Sequence, residues 1–510
     1  MSSQSLIPAA AVNEKKFSEA ECAALIFQGE NGSYVAHDAE KNSHGWSLLM
    51  QREFKKQCRL AGPMVVVNLL QYSLQLISVM FVGQLGVLSL ASASISTSFA
   101  GVSGFSLLTG MGSALETLCG QAYGAHEFWL LGIYLQRALL CLNLVSLPVA
   151  LIWINMGKVL LFFGQEADIA IEAGQYASWL LPALFAFACL QPLVKFLQAQ
   201  SLVFPLVLSA ALASCMHLIM CWLLVYKLNM GIQGAALALG MSYWLNVAIL
   251  IGYVRLSSVC KATWTGFSWK AFRDLRAFLT LAIPSTVMYC LEYWSFHIVI
   301  LISGLLPHPQ LHMSALSICL NTITIVYMIP CGLGAAASTR VSNELGAKDL
   351  RAIRAVVYVA MFLALTDATL TAGILMAIRN IWGWAFNNEV EVVQYVATIM
   401  PLVAATSFFD AVQGVLQGVI RGSGRQSLGA FVNLGAFYIV GVPTGVILGI
   451  VYKLNGKGLW IGVLSGVSIE MVCFVFITLS TNWTQQIIPL AQRATDRVVS
   501  PSSKLVPLLQ

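Results

Sequence analysis

Apolar runs of about twenty residues recur along the whole chain, and no other feature constrains its fold as strongly. They lie near 62–83, 93–115, 130–156, 174–194, 204–226, 231–254, 278–303, 314–337, 354–377, 392–419, 428–450 and 458–481. A hydrocarbon layer about 30 Å thick takes roughly 20 residues of helix to cross. The runs therefore predict twelve transmembrane helices and an all-α integral membrane fold. Only 10% of the 510 residues are charged and 58% are hydrophobic, whereas a soluble domain is about 25% charged. A water-soluble fold of this size lacks the charge to cover its surface. Residues 1–55 are polar and carry no signal-peptide pattern, so they are expected to form a flexible tail. A second tail is expected over 486–510.

Lys and Arg orient the helices. With both termini in the cytosol, only Lys158, Lys227, Arg379, Lys453 and Lys457 of the 28 basic residues fall on the far side. One span more or fewer would scramble this bias.

The chain also repeats itself. Pro63 to Gly83 aligns with Pro284 to Gly304 at a constant offset. Gly110, Gly112 and Gly124 align with Gly332, Gly334 and Gly346, and Tyr176, Pro182 and Gln198 with Tyr395, Pro401 and Gln417. Val225-Tyr-Lys-Leu-Asn229 recurs as Val451-Tyr-Lys-Leu-Asn455. Six spans separate matching points, so the halves are parallel repeats related by an axis along the membrane normal. The expected organisation is a first lobe over 56–254, a basic linker over 255–277 and a second lobe over 278–485. Two bundles that can rock against each other suit alternating access.

An ionisable group inside a span costs several kcal/mol, about 2.5–3.5 on insertion scales, and so marks a candidate site. Glu292 lies mid-span in the seventh run and Asp410 well inside the tenth; Asp367, Glu470 and Glu116 are weaker candidates, each open to a structural pairing. Through the repeat, Glu292 corresponds to Gln71 and Asp410 to Gln191. Only the second half can titrate at these places, so proton binding is assigned to Glu292 and Asp410. Around them Ser407, Gln413 and Gln417 share a face of the tenth helix with Asp410, Asn68 shares one with Gln71, and Tyr289 lies one turn before Glu292. Together with Tyr293, Gln191 and Asn321 these residues are the candidate lining of a solute cavity. The competing account of the amide and hydroxyl stripes is plain interhelical hydrogen bonding.

A carboxyl group held out of water can take a proton or exchange it for an organic cation. That chemistry points to a proton-coupled carrier of small organic solutes. A carrier of neutral or anionic metabolites and an uncoupled facilitator remain as alternatives. No phosphate-binding loop of the G-x-x-x-x-G-K type, nucleophile–base constellation or metal-ligand spacing is present. The expectation is therefore neither an enzyme nor a cofactor- or metal-dependent protein, and one without a nucleic-acid partner.

Several motifs resemble one family. Phe81-Val-Gly-Gln-Leu-Gly86, the stretch from Gly110 to Ala125, Cys290-Leu-Glu-Tyr-Trp-Ser-Phe296 and the stretch from Gly334 to Ala347 are similar to segments of plant multidrug and toxic compound extrusion (MATE, detoxification-type) transporters. The likeness covers about residues 50–485. The resemblance implies twelve helices in two six-helix lobes around a central cavity, exchange of protons for organic cations and secondary metabolites, and a monomer in the vacuolar or plasma membrane. In plant members the coupling acids are a Glu of the seventh helix and an Asp of the tenth, which match Glu292 and Asp410. One departure is His297, where relatives commonly carry an acid.

Overall fold

The computed structural model describes residues 32–486, with side chains described from Gly45 onward. Residues 1–31 of the expected first tail and 487–510 of the expected second tail lie outside the described residues. The stretch up to Gln51 forms a unit of its own, and the helical bundle forms a second unit that begins at Arg52. Among the described residues there is no strand.

Among the described residues twelve helices are long and apolar enough to cross a membrane. They are α1 (Gly45–Gly83), α2 (Val87–Gly124), α3 (Phe128–Ile154), α4 (Ala167–Ala199), α5 (Phe204–Lys227), α6 (Gly231–Leu256), α7 (Leu275–Ser303), α8 (Gln310–Ala347), α9 (Leu350–Ile378), α10 (Val390–Gly422), α11 (Gln426–Val451) and α12 (Asn455–Leu479). Although the spans 130–156 and 458–481 end two residues beyond their helices, each helix matches one expected span. Most run past it, because hydropathy marks where a helix enters lipid and not where its hydrogen-bond ladder begins. The backbone ahead of α1 is helical back to Gly32, inside the stretch expected to be a tail. His312 lies in the first turn of α8, where the hydropathy pattern predicts a loop; Pro309 at the start of that helix is well placed to initiate it.

The connection between α6 and α7 is held down along its length. Two short 3₁₀ turns, Ser258–Lys261 and Trp269–Phe272, lie within it. Gln136 of α3 donates to the Gly266 carbonyl at 2.8 Å and accepts from the Ser268 amide at 2.9 Å. The Thr263 hydroxyl donates to Gln200 at 2.9 Å. The side of the bundle that carries this connection is the linker face.

Two of the three repeated glycine pairs lie where the two halves touch. A Cβ on Gly110 would stand 2.6 Å from the Thr286 backbone of α7, and one on Gly332 would stand 2.8 Å from Val65 N of α1. Thus α2 packs on α7 as α8 packs on α1. At the linker face α2 and α8 cross each other. A Cβ on Gly124 would meet Asn343 O at 1.8 Å, and one on Gly346 would meet Gln121 O at 2.2 Å. Backbones this close admit only glycine. Higher up, a π turn at Gly101–Phe105 shifts the ladder of α2. There the Val102 carbonyl accepts from Ser106 Oγ at 2.8 Å and from Trp294 Nε1 of α7 at 3.0 Å.

Most hydrogen bonds between the halves lie near the linker face. Gln198 of α4 donates to Ala335 O and Thr339 Oγ1, each at 3.0 Å, and Asn343 donates to Ala199 O at 3.2 Å. Arg340 of α8 forms a two-pronged pair with Glu53 at 2.7 and 2.9 Å and also pairs with Glu344. Glu53 and Arg340 are both buried. Paired buried charges fix register here more than they add stability.

Candidate functional site

The second half is organised around Glu292. This residue stands mid-helix on α7, 9% exposed, facing α10. Gln413 donates to Oε1 at 3.0 Å and Gln417 to Oε2 at 2.5 Å. Residues four apart stack on one helix face, so α10 offers two amide donors one turn apart to the two oxygens of one carboxylate.

Two further acids approach this one. Asp410, 4% exposed, precedes Gln413 by one turn of α10, and Glu470 of α12 is wholly buried. Both lie within electrostatic reach of Glu292. Neither oxygen of Glu470 has a hydrogen-bond partner, and the oxygens of Gln413 and Asn433 are likewise unpaired. Tyr327 of α8 lies within reach of Glu292 and Asp410 and packs against α10 at Gly414, where a Cβ would stand 3.1 Å from its ring. Glu470 is a weaker candidate in the sequence. Asn433 and Tyr327 give no signal there, because they meet the acids only through the packing of α8, α11 and α12.

A chain of contacts leads from Glu292 to the contact between the halves. Gln417 Oε1 accepts from Arg421 Nη1 at 2.7 Å. Arg421 Nε donates to Glu116 Oε2 of α2 at 3.2 Å, and Lys195 Nζ of α4 to Glu116 Oε1 at 2.5 Å. The Arg421 carbonyl accepts from the Thr117 hydroxyl at 2.5 Å. Glu116 is thus a structural ion pair, one of the two roles left open for it in the sequence. The charge count assigns Arg421 to an aqueous side, yet its side chain is buried at the helix end. Counting charges per side carries no information about depth.

The remaining candidates are spread more widely. Tyr289 and Tyr293 stack along α7 with ring centroids 6.3 Å apart, and His297 follows at 4.7 Å from Tyr293. A Cβ on Gly101 would stand 2.7 Å from the Tyr293 hydroxyl, so this tyrosine faces α2. Ser407 is buried with its hydroxyl unpaired, and the Asn68 amide nitrogen is likewise unpaired. Gln71 is half-buried, and Gln191 is buried against Gly112. Asn321 of α8 is exposed. Asp367 accepts from the Thr371 hydroxyl at 3.3 Å on its own helix.

The first half has a different polar centre. His217 of α5 lies 3.0 Å from Ser78 Oγ of α1 and 2.9 Å from Ser242 Oγ of α6. It ties three helices together with both ring nitrogens occupied. Among the described residues no group of acids, histidines and cysteines has the geometry of a metal site.

Comparison with known proteins agrees with this architecture. The MatE family model matches twice, over residues 63–223 and 284–447, one copy in each half. Protein DETOXIFICATION 16 of Arabidopsis thaliana is 50% identical over 463 residues, covering 90% of this chain and 94% of that protein. Protein DETOXIFICATION 17 of the same plant is 48% identical over 457 residues, covering 90% and 95%. The crystal structure of the eukaryotic MATE transporter AtDTX14 superposes with a TM-score of 0.85 at 46% identity, covering 87% of this chain and 99% of that one. A Vibrio cholerae MATE transporter shares the fold at 20% identity with a TM-score of 0.76. Twelve helices, an internal repeat and these similarities together make this chain a member of the MatE family, a multi-pass membrane transporter and not an enzyme.

Proposed function

We propose that this protein exchanges protons for small organic solutes, chiefly organic cations such as alkaloids or xenobiotics, by alternating access, with Glu292 and Asp410 as the proton-coupling pair. The observation that carries this reading is the clustering of Glu292, Asp410 and Glu470 in one half, with Gln71 and Gln191 at the repeat-related places of the other. Three acids so close favour either bound protons or a bound cation. Polar residues inside a membrane protein are costly and serve pathways or relays.

Coupling runs through Gln417. While Glu292 accepts from both amides, Gln417 keeps its oxygen on Arg421, and Arg421 holds Glu116 across the halves. A proton or cation on Glu292 competes with the Gln417 amide. That competition loosens the Arg421–Glu116 contact and lets the linker face open. The lysine and arginine bias supports both termini in the cytosol, hence a linker face turned to the cytosol. In this orientation the protein acts as a monomer in the vacuolar or plasma membrane and moves solute out of the cytosol.

The test is solute uptake into vesicles holding the purified protein, with and without an imposed pH gradient. Gradient-dependent uptake is expected in the wild type and lost in Glu292→Gln and in Asp410→Asn, with both variants still inserted. Gradient-independent uptake by the wild type points to an uncoupled facilitator. Preference for flavonoid glycosides or organic acids over cations identifies the neutral or anionic carrier.

A further inference from the structure

The linker face contains a cavity of about 720 Å³ that the transport reading does not use. It lies between α2 and α3 of the first half, the start of α7, the end of α8 and the turn Ser423–Gly424 between α10 and α11. Both halves therefore contribute to its wall. Apolar groups such as Leu118, Ile133, Ala277 and Leu281 line much of it.

Its polar lining is cationic. Arg137, Lys270 and Arg273 line it, with Asp274 as the single acid. Arg137 is only 9% exposed. Its Nη2 donates to the Lys270 carbonyl at 3.2 Å, and its Nε is buried with no acceptor at all. None of the three cations forms an ion pair among the described residues. Lys270 sits over the Trp129 ring at 5.4 Å and Arg137 over Tyr134 at 5.8 Å, which orients both heads. A buried guanidinium with an unmet donor is costly unless an anion completes its shell. Just outside the cavity, Phe267, Trp269 and Phe272 of the linker are exposed beside Lys270 and Arg273. Aromatic rings interleaved with basic heads belong at a membrane–water boundary.

We propose that this cavity binds a phosphate group through Arg137, Lys270 and Arg273, with the apolar wall accommodating the rest of an anionic amphiphile. Arginine matches phosphate oxygens with paired donors, and Lys270 and Arg273 add charge. A ligand held here bridges the halves on their closed face and so favours the state with the linker face sealed. Binding is independent of the proton-exchange reading, because none of its ligands belongs to the carboxyl cluster.

The test uses the full chain purified in neutral detergent, probed by native mass spectrometry and thermal unfolding. The probes are phosphatidic acid, phosphatidylcholine and inorganic phosphate. Retention of phosphatidic acid over phosphatidylcholine, with a raised unfolding midpoint, identifies a lipid headgroup as the source. The same effect from inorganic phosphate alone identifies a free phosphate compound. In Lys270→Gln/Arg273→Gln the affinity is expected to fall at least about tenfold. Both positions are exposed, so this variant does not depend on refilling the core. Arg137→Lys keeps the charge but loses the paired donors and should weaken binding as well. Binding of neither phosphatidic acid nor inorganic phosphate, or equal binding by the wild type and the double variant, overturns the proposal.

Discussion

Gln417 donates its amide to Glu292 Oε2 at 2.5 Å while its oxygen accepts from Arg421 Nη1 at 2.7 Å, so one side chain joins the membrane-embedded acid to the contact between the halves. Gln417→Leu removes both bonds at nearly constant volume. The proton-driven uptake rate is expected to fall at least about tenfold, the equivalent of roughly 1.4 kcal/mol, while the level of inserted protein changes little. Initial rates with and without the gradient check this.

Arg421→Gln leaves the buried Glu116 with Lys195 as its one cationic partner. Removing one member of a buried ionic cluster costs about 3–5 kcal/mol. The expected result is a lower thermal midpoint together with easier opening of the linker face. A cysteine placed at Ser342 in a background lacking other reactive thiols should then react faster with a hydrophilic maleimide added from that face.

Gly124→Ala drives a methyl group into Asn343 O, which a Cβ would approach to 1.8 Å. The two helices must separate there, and sealing of the linker face is expected to fail. Gly252, where a Cβ meets nothing within 4 Å, provides the control, since Gly252→Ala should transport normally. Uptake by the two variants in parallel gives the comparison.

Glu470→Gln tests the third acid. Its side chain is buried near Gln413 and Asn433, and neither of its oxygens has a hydrogen-bond partner. A role in holding the exchanged proton or cation predicts a reduced number of protons moved per solute, measured by simultaneous dye and solute flux. An unaltered ratio would make Glu470 a packing residue.

Cys260 in the connection between α6 and α7 is fully buried, and burial pushes its thiol above the ordinary range. A raised thiol pKa means less thiolate at neutral pH, hence slow alkylation. Cys260 is expected to stay unmodified by maleimide at pH 7 in the native protein and to react once the protein is unfolded, as peptide mass spectrometry would show. Rapid native labelling would mean that the linker comes away from α3 and α4.

By itself the sequence determined what depends on composition and spacing along one chain. Twelve runs of sufficient apolar length, the six-span repeat and the mid-span position of Glu292 and Asp410 are all local or periodic properties. The glycines at 124 and 346 were visible as matching letters. Only the tertiary structure made them the crossing point of α2 and α8, where their lack of a Cβ matters. It likewise decided that Glu292 faces Gln413 and Gln417, that Glu470 and Asn433 join them, and that Asn321 is exposed. Arg421 shows the reason most plainly. In the sequence it is one more charge on the basic side, and its partners lie on α2 and, through Glu116, on α4. Pairings between helices depend on crossing angle and on rotation about each helix axis. Hydropathy and residue spacing leave both undetermined, because a lipid-exposed face and a cavity-lined face of one helix follow the same 3.6-residue period.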